Sequence, residues 1–178
     1  MIYFITVNYY STELVRKLLT SVTTNAQFEY KPGSKPEYKL LIINNSPADR
    51  AINDLPSEFP HTTVVNAGNN LGFGAGCNLG MQQVYRQDPQ ALIWLINPDA
   101  TLEPHAITYI CQCFSQTPSL AILGTQIRDQ TGDIWFRVGT FNRWTGSLKH
   151  QATGITSHPT QSQTALAGTV GQGKAPFQ

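Results

Sequence analysis

Short apolar runs alternate with amphipathic, helix-like segments through the first two-thirds of this 178-residue chain. Each main run is continuous and rich in β-branched residues, which is typical of strands buried on both faces of a parallel sheet. The four main runs are residues 2–7, 40–43, 62–65 and 91–96, and a shorter run at 120–123 predicts a fifth strand. This alternation predicts a mostly parallel sheet covered by helices.

Between these runs, apolar residues recur at spacings of three and four. The stripes occupy residues 14–22, 73–85 and 107–114. Ser11 and Thr12 precede the first stripe as candidate N-caps, and Pro104 lies where the first turn of the last helix begins. Because strand–helix–strand crossovers are right-handed, residues 1–125 predict an α/β, Rossmann-like, doubly wound fold.

The composition excludes several classes of protein. Charged residues make up 13% of the chain, and 12 basic residues against 11 acidic ones leave a formal charge of +1. This balance disfavours a nucleic-acid partner, because such proteins need clustered charge to neutralise phosphates. Three cysteines are too few for a disulfide scaffold, and we interpret Cys77, Cys111 and Cys113 as small core residues.

The sequence carries no targeting or membrane signal that we recognise. No stretch approaches the roughly 20 apolar residues needed to cross a bilayer. The amino terminus has no basic region ahead of its apolar run, as a signal peptide would. We therefore expect no transmembrane segment and a cytoplasmic protein, with peripheral attachment to the inner membrane as an extension of that expectation.

The last part of the chain differs in kind from the rest. Residues 129–133 predict a hairpin turn that leads into a strand at 134–138. Of the 28 residues from 151 to 178, 18 are Gln, Thr, Gly, Ser or Pro, and no acidic residue follows Asp133. Such a segment buries too little apolar surface to offset the entropy lost on ordering. We interpret residues 141–178 as a polar tail or the remnant of a missing half.

Polar, asparagine-rich segments follow all four main strands. They are residues 8–11, 44–47, 66–70 and 97–99. Ligands of open parallel sheets bind at the carboxyl ends of the strands, so four similar ends predict one shared polar cleft. The alternative is that asparagine is simply a good turn residue.

A glycine-rich segment at residues 68–80 follows the third strand. Its glycines at 72, 74 and 76 lie at a predicted helix start, where exposed N–H groups favour an anion such as a phosphate. Close packing of helix on sheet explains the same glycines equally well. A dinucleotide fingerprint would follow the first strand, so a dinucleotide-dependent oxidoreductase is disfavoured.

Asp99 is the only acidic residue between Asp88 and Glu103, and it comes just after the apolar run at 92–96. A carboxylate at this point can hold a hard divalent cation that also binds a diphosphate. The alternative is an aspartate that caps a helix or closes a turn.

Five motifs occur along the chain, at residues 7–11, 18–22, 42–46, 68–80 and 95–100. In their order and spacing they resemble the nucleotide-binding half of an inverting family 2 glycosyltransferase of the GT-A fold. Its rhamnosyltransferase-like members are the most similar. The resemblance implies a nucleotide-sugar-binding domain at residues 1–140, with 141–178 as the remnant of an acceptor-binding half. It implies transfer of a sugar, with inversion, from a dTDP- or UDP-sugar to a saccharide or lipid-linked acceptor in cell-surface polysaccharide biosynthesis.

The resemblance also implies roles for individual residues. The backbone of Val7 and the side chain of Tyr9 would line the base site. Asn44 stands where the family has an aspartate that accepts a hydrogen bond from the base N3–H. An amide oxygen also accepts such a bond, but without the assistance of a charge. Asn69 would lie near the nucleotide.

Residues 97–99 stand where the family has its Asp-x-Asp motif. Asn97 would contact the ribose, and Asp99 would hold the Mg²⁺ or Mn²⁺ that bridges the diphosphate. The family's general base is an acidic residue of the carboxyl-terminal half, and this chain has no acidic residue after Asp133. His150 and His158 are poor substitutes, so no catalytic base is predicted. A truncated, non-catalytic nucleotide-sugar-binding module therefore stays open as the alternative function.

Overall fold

The structure is a computed structural model that describes residues 1–29, 38–141, 144–151 and 170–172. Side chains are described for residues 1–26, 38–137 and 144–147. The chain divides into two compact units, Met1–Ala100 and Thr101–Gln178. The predicted loop at residues 31–36 lies outside the described residues, and the predicted domain boundary at residue 140 stays a prediction.

The first unit is an α/β unit built on a parallel sheet of four strands in the order β3-β2-β1-β4. All four main strands and the first two helices of the sequence prediction are confirmed. A 3₁₀ turn and the short helix α2 were not predicted. In chain order the elements are β1 (Ile2–Asn8), α1 (Thr12–Glu29), β2 (Tyr38–Asn44), a 3₁₀ turn (Arg50–Asp54), α2 (Leu55–Glu58), β3 (Thr62–Asn66), α3 (Phe73–Gln87) and β4 (Leu92–Leu95).

The strand register brings three asparagines side by side at one edge of the sheet. Asn8 pairs with Asn44 across β1 and β2, and Asn44 pairs with Asn66 across β2 and β3. On the other side of β1, the pairing with β4 ends at Ile5 and Leu95. Polar residues that follow apolar strands therefore meet at the carboxyl edge, as the sequence predicted.

The core of this unit lies on both faces of β1 and β2, as the continuous apolar runs predict. All seven residues of β1 are buried. On one face, helix α3 packs over a cluster that includes Ile5, Ile43 and Val84. On the other face, the Phe4 ring lies 5.1 Å from the Trp94 ring, centroid to centroid.

Two glycines of α3 allow this helix to lie close to the sheet. A Cβ atom at Gly80 would lie 2.7 Å from Ile5 Cγ2, and one at Gly76 would lie 3.0 Å from Val7 Cγ1. Close packing of helix on sheet is therefore the reason for glycine at these two positions. Cys77 lies between them and is buried in the core, as predicted.

Outside the core, a salt bridge joins two helices of the first unit. Arg16 of α1 donates to Glu58 of α2 over 2.8 Å and 3.0 Å, and also to Glu13. The hydrogen bonds from Arg16 hold the pKa of the Glu58 carboxyl below its usual range.

The second unit contains one more helix and several short strands. Strand β5 begins at the last residue of the first unit, and the sheet order is β5-β10-β6-β7. Strands β8 and β9 form a separate antiparallel pair. The elements are β5 (Ala100–Leu102), α4 (Ala106–Gln116), β6 (Ile127–Arg128), β7 (Ile134–Phe136), β8 (Val138–Phe141), β9 (Leu148–Gln151) and β10 (Val170–Gln172).

The predicted hairpin turn is confirmed. Strands β6 and β7 are antiparallel, and the Asp129 N–H donates to the Asp133 carbonyl over 2.9 Å. Gly132 has a φ of 88°, the left-handed conformation that glycine adopts most easily. The single strand predicted at 134–138 is instead divided at Arg137 into β7 and β8.

The predicted fifth strand at residues 120–123 is wrong. These residues carry no strand, and the Leu120 N–H instead donates to Thr117 O in a turn after α4. Ile122 is 88% exposed, so the run does not enter a core. Four apolar residues between a turn and Gly124 are too few to distinguish a strand from a loop.

Other predictions for this unit have mixed outcomes. Cys113 is partly buried, but Cys111 is exposed, so its interpretation as a core residue is wrong. This thiol lies on an outward face of α4. Within the predicted tail, Val170–Gln172 pairs in parallel with β6. The remaining residues after 151, His158 included, lie outside the described residues, as does the His150 side chain.

No helix in the described part of the chain is both long enough and apolar enough to cross a membrane.

Candidate functional site

A chain of side-chain amides crosses the carboxyl edge of the first unit's sheet. Asn8 Nδ2 donates to Asn44 Oδ1 over 3.1 Å, and Asn44 Nδ2 donates to Asn66 Oδ1 over 2.8 Å. Asn66 in turn donates to Asn53 Oδ1 over 3.2 Å. These bonds join β1, β2 and β3 to the 3₁₀ turn, so the strand ends are held as one surface.

The side chain of Asn44 is engaged in this network through both its oxygen and its nitrogen. Its Oδ1 accepts hydrogen bonds from Asn8 and from the Ser46 N–H, the latter over 3.0 Å, and the residue is 1% exposed. An amide oxygen has two lone pairs, and both are used here. The role implied for Asn44, accepting the base N3–H, would require this network to open and stays a prediction. The bonds that the structure describes for Asn44 are structural.

Asp49 anchors the same network, although it was not among the site residues predicted from the sequence. Its Oδ2 accepts hydrogen bonds from Asn8 Nδ2 over 3.0 Å and from Thr12 Oγ1 over 2.8 Å. The carboxylate therefore ties the end of β1 and the start of α1 to the loop after β2. The only available signal was its place two residues beyond the polar segment at 44–47, where an aspartate resembles any turn residue.

Two exposed tyrosines follow β1 directly. Tyr9 is 56% exposed and Tyr10 is 63% exposed, and their ring centroids lie 5.1 Å apart at 75°. Tyr10 has a φ of 50°, and its N–H donates to Ser46 Oγ over 2.8 Å. Tyr9 thus presents an aromatic surface at the predicted base site. Tyr10 belongs to the predicted polar segment at 8–11, but no individual role was predicted for it.

The Val7 side chain is buried, but its backbone carbonyl is on the side of β1 that pairs with β4. Strand β4 ends before it reaches Val7. The ladder between β1 and β4 includes the Leu92 N–H donating to Met1 O and the Ile96 N–H donating to Ile5 O. The next donor in this alternating series would be residue 98, reaching Val7 O. Residue 98 is a proline and has no N–H, so the Val7 carbonyl lacks that partner.

The glycine segment forms the turn into α3. Gly72 is the N-cap with a φ of 78°, and no side chain caps the helix. Asn45 Nδ2 donates to Gly72 O over 3.0 Å and Asn70 Oδ1 accepts from the Gly72 N–H over 2.9 Å. Asn69 is exposed in this turn. Uncapped N–H groups at a helix start favour negative charge.

Residues 97–99 form a turn immediately after β4. The Ala100 N–H donates to Asn97 O over 3.1 Å, which closes the turn. The Asn97 side chain is exposed and Asp99 is half-buried. The structure describes no protein hydrogen bond to the Asp99 carboxylate within the ranges it covers.

This arrangement fits a cation that arrives with a ligand. Among the described residues, no group of three His, Cys, Asp or Glu side chains is placed to hold a metal ion. Mg²⁺ is commonly held by one or two carboxylates together with substrate phosphates and water, rather than by a cage of protein ligands. The Asp99 carboxylate, for which no hydrogen-bond partner lies among the described residues, meets that requirement.

The predicted site residues largely come together. Tyr9, Asn44 and Asp99 follow or end three adjacent parallel strands, β1, β2 and β4, at the same edge. Asn69 follows β3, on the far side of the sheet from β4. An arrangement on opposite sides of the molecule, which would have excluded a shared site, is not found.

A cavity of about 180 Å³ lies elsewhere in this unit, beside the amino halves of β1 and β2. Tyr3, Lys39, His61 and Gln83 are among the residues that line it. Nucleophilic chemistry by Cys77 is disfavoured, because burial raises the pKa of its thiol.

Comparison with known families matches most of the chain. The sequence profile described as Glycosyl transferase family 2 matches residues 3–167. Two curated proteins, each an N-acetylglucosaminyl-diphospho-decaprenol L-rhamnosyltransferase from a strain of Mycobacterium tuberculosis, are 26% identical over 103 residues. That alignment covers 54% of this chain and 34% of each relative, so the chain spans about a third of their length.

Solved structures show the same fold. A crystal structure of S. aureus TarS 1-349 matches with a TM-score of 0.56 at 14% identity, covering 74% of this chain and 36% of that one. A second structure, TarS 1-349 in complex with UDP-GlcNAc, gives a TM-score of 0.57 at 13% identity, covering 74% and 35%. At this identity the likeness concerns the fold alone.

Proposed function

This chain belongs to glycosyl transferase family 2, and from that premise we propose that the carboxyl edge of its first unit binds the nucleoside diphosphate of a sugar donor. The observation that carries the proposal is the parallel register, which brings Tyr9, Asn44 and the turn at 97–99 to one edge. Ligands of open parallel sheets bind at this edge.

The base would lie against Tyr9 and the end of β1. The Tyr9 ring is exposed, and an aromatic face can stack on a nucleobase. The Val7 carbonyl, left without a donor from Pro98, would accept the base N3–H. This assignment suits a pyrimidine better than the implied role for Asn44, whose oxygen already accepts two bonds.

The ribose and diphosphate would lie toward β4 and α3. Asn97 is exposed and can hydrogen-bond to the ribose hydroxyls, and Asn69 is exposed in the turn before α3. Asp99 would hold Mg²⁺ or Mn²⁺, and when bound this cation would offset the charge that develops on the departing diphosphate. The uncapped start of α3 adds a partial positive charge at the same edge.

The proposed reaction is a single displacement with inversion at the anomeric carbon. The bond from that carbon to the acceptor oxygen forms as its bond to the diphosphate oxygen breaks. The acceptor proton passes to a base, and none of the residues placed at this edge is assigned that role. What the described residues do is bind and orient the donor.

The donor and acceptor classes are proposed from the relatives. A UDP- or dTDP-sugar is the proposed donor, because one TarS structure holds UDP-GlcNAc and the curated relatives are named as rhamnosyltransferases. The acceptor name of those relatives, a diphospho-decaprenol saccharide, suggests a lipid-linked saccharide and a role in cell-surface polysaccharide synthesis. Such an acceptor would bring the protein to a membrane surface.

Calorimetry with UDP, dTDP and GDP, each with and without Mn²⁺, tests the donor site. We expect UDP or dTDP to bind in a Mn²⁺-dependent way and GDP to bind more weakly. Absence of metal-dependent binding by all three would overturn the proposal. The alternative function, a binding module without catalysis, is separated by incubating the chain with UDP- and dTDP-sugars and measuring sugar release or transfer.

A further inference from the structure

We propose that Tyr10 is a positioning residue for the nucleobase: it braces the Tyr9 ring from the side and so keeps that ring in place for stacking. This inference rests on the proposed donor site. It begins from the backbone of Tyr10, whose φ of 50° lies in the left-handed region. Bulky side chains are uncommon there, and glycine or asparagine adopts it more easily.

The neighbouring hydrogen bonds hold the strained backbone but do not involve the Tyr10 ring. The Tyr10 N–H donates to Ser46 Oγ over 2.8 Å, and Ser46 is buried. The Ser11 N–H and hydroxyl both donate to Asn8 Oδ1, over 3.0 Å and 2.9 Å. Every one of these bonds would form equally well with asparagine or glycine at position 10.

Core packing does not explain the tyrosine either, because 63% of the residue is exposed. The ring contact that the structure describes for it is with Tyr9, edge to face, at 5.1 Å between centroids. Aromatic pairs favour this geometry. The backbone of Tyr10 is thus kept in a costly conformation, and the side chain placed in this way supports the exposed ring of Tyr9. This cost points to a function for Tyr9.

The proposal predicts opposite signs for stability and binding. Replacing Tyr10 with asparagine relieves the left-handed strain, so Tyr10→Asn is expected to raise the melting temperature by about 2–4 °C. The same change removes the brace on Tyr9 and is expected to weaken UDP or dTDP binding about 2- to 12-fold. Tyr10→Phe keeps the ring and is the matched control, with wild-type binding expected.

The experiment measures melting temperature and calorimetric affinity on the whole chain in the presence of Mn²⁺. Inorganic pyrophosphate serves as a ligand without a base, and its affinity should be the same in Tyr10→Asn and wild type. In a Tyr9→Ala background, adding Tyr10→Asn should produce no further loss of nucleotide affinity, because the two residues act through one ring.

Each outcome is decisive. Wild-type nucleotide affinity in Tyr10→Asn would overturn the inference while leaving the donor site intact. So would an equal loss of pyrophosphate affinity, or a fall in melting temperature, since either would mean that the ring supports the fold rather than Tyr9. If the wild-type chain binds neither UDP nor dTDP, the proposed function itself fails, and the inference fails with it.

Discussion

At the scale of single residues, the strand ends depend on two buried amides, Asn8 and Asn44, which bond to each other and to neighbouring groups. Asn8 has no exposed surface, and its amide links Asn44, Asp49 and Ser11. A buried polar group left without a partner costs about 1–3 kcal/mol, so a network of this kind fixes one arrangement of the edge. We therefore expect the proposed binding surface to be preformed.

Removing the central amide tests this interpretation. We expect Asn44→Ala to lower the free energy of unfolding by about 1–3 kcal/mol, because the Ser46 N–H and one Asn8 N–H lose their acceptor. Asn53→Ala removes only exposed hydrogen bonds at the far end of the network and should cost about 0.5 kcal/mol. Urea unfolding of both variants is the measurement, and equal losses would show that the buried network does not hold the edge.

Asp99 carries the metal dependence that we propose. We expect Asp99→Ala to weaken Mn²⁺-dependent nucleotide binding by about tenfold or more, because a charged ligand of the cation is lost. The fold should be unchanged, since the structure describes no protein partner for this carboxylate in the ranges it covers. Asp88→Asn removes a charge near the start of β4, at the amino edge, and serves as the control. Unchanged affinity in Asp99→Ala would refute the assignment.

At the scale of elements, the sheet and its helices follow from patterns that a sequence displays directly. The runs at 2–7 and 40–43 are apolar, contain β-branched residues and are bounded by polar segments, so their burial and direction could be predicted. The run at 120–123 is also apolar and is as short as the run at 40–43, but none of the described strands pairs with it. Whether a short apolar run forms a strand depends on a pairing partner that is distant in the sequence. The local sequence does not show whether such a partner is present.

The same reasoning explains what was predicted of the site. The asparagines at the strand ends could be located because parallel strands end at one edge. The bonds of Asn44 could not be predicted, because they depend on the register that places Asn8 and Asn66 beside it. The anchor at Asp49 and the left-handed Tyr10 were missed for a related reason: a loop aspartate and a tyrosine carry no local signal of such roles.

Two glycines of α3 offer a matched test of how closely this helix lies on the sheet. A Cβ at Gly80 would lie 2.7 Å from Ile5 Cγ2, whereas a Cβ at Gly74 would meet nothing within 4 Å. We expect Gly80→Ala to destabilise the fold by about 1–3 kcal/mol through overpacking. Gly74→Ala should instead stabilise it by about 0.5–1 kcal/mol through helix propensity. Thermal or urea unfolding measures both, and equal effects would mean that α3 is free to move away from β1.

At the scale of the whole molecule, family membership and the predicted donor residues point to one edge of one sheet. The chain belongs to glycosyl transferase family 2 and spans about a third of the length of the curated relatives it matches. Its first unit supplies the parallel sheet and the predicted donor residues, and the acceptor side and catalytic base are not assigned to any described residue. Donor binding is therefore the part of the proposed function for which this chain has candidate residues.

Paramagnetic broadening by Mn²⁺ can show at which edge of the sheet the nucleotide and its cation bind. Strands of seven residues separate the two edges of the sheet by about 20 Å. The signals broadened by a bound Mn²⁺–UDP or Mn²⁺–dTDP complex therefore show at which edge the complex lies. In a ¹⁵N-labelled chain, we expect strong broadening of the amide signals of Asn8, Asn44 and Ala100, with those of Ile2, Tyr38 and Leu92 much less affected. Broadening centred on the amino edge, or none that depends on the nucleotide, would contradict it.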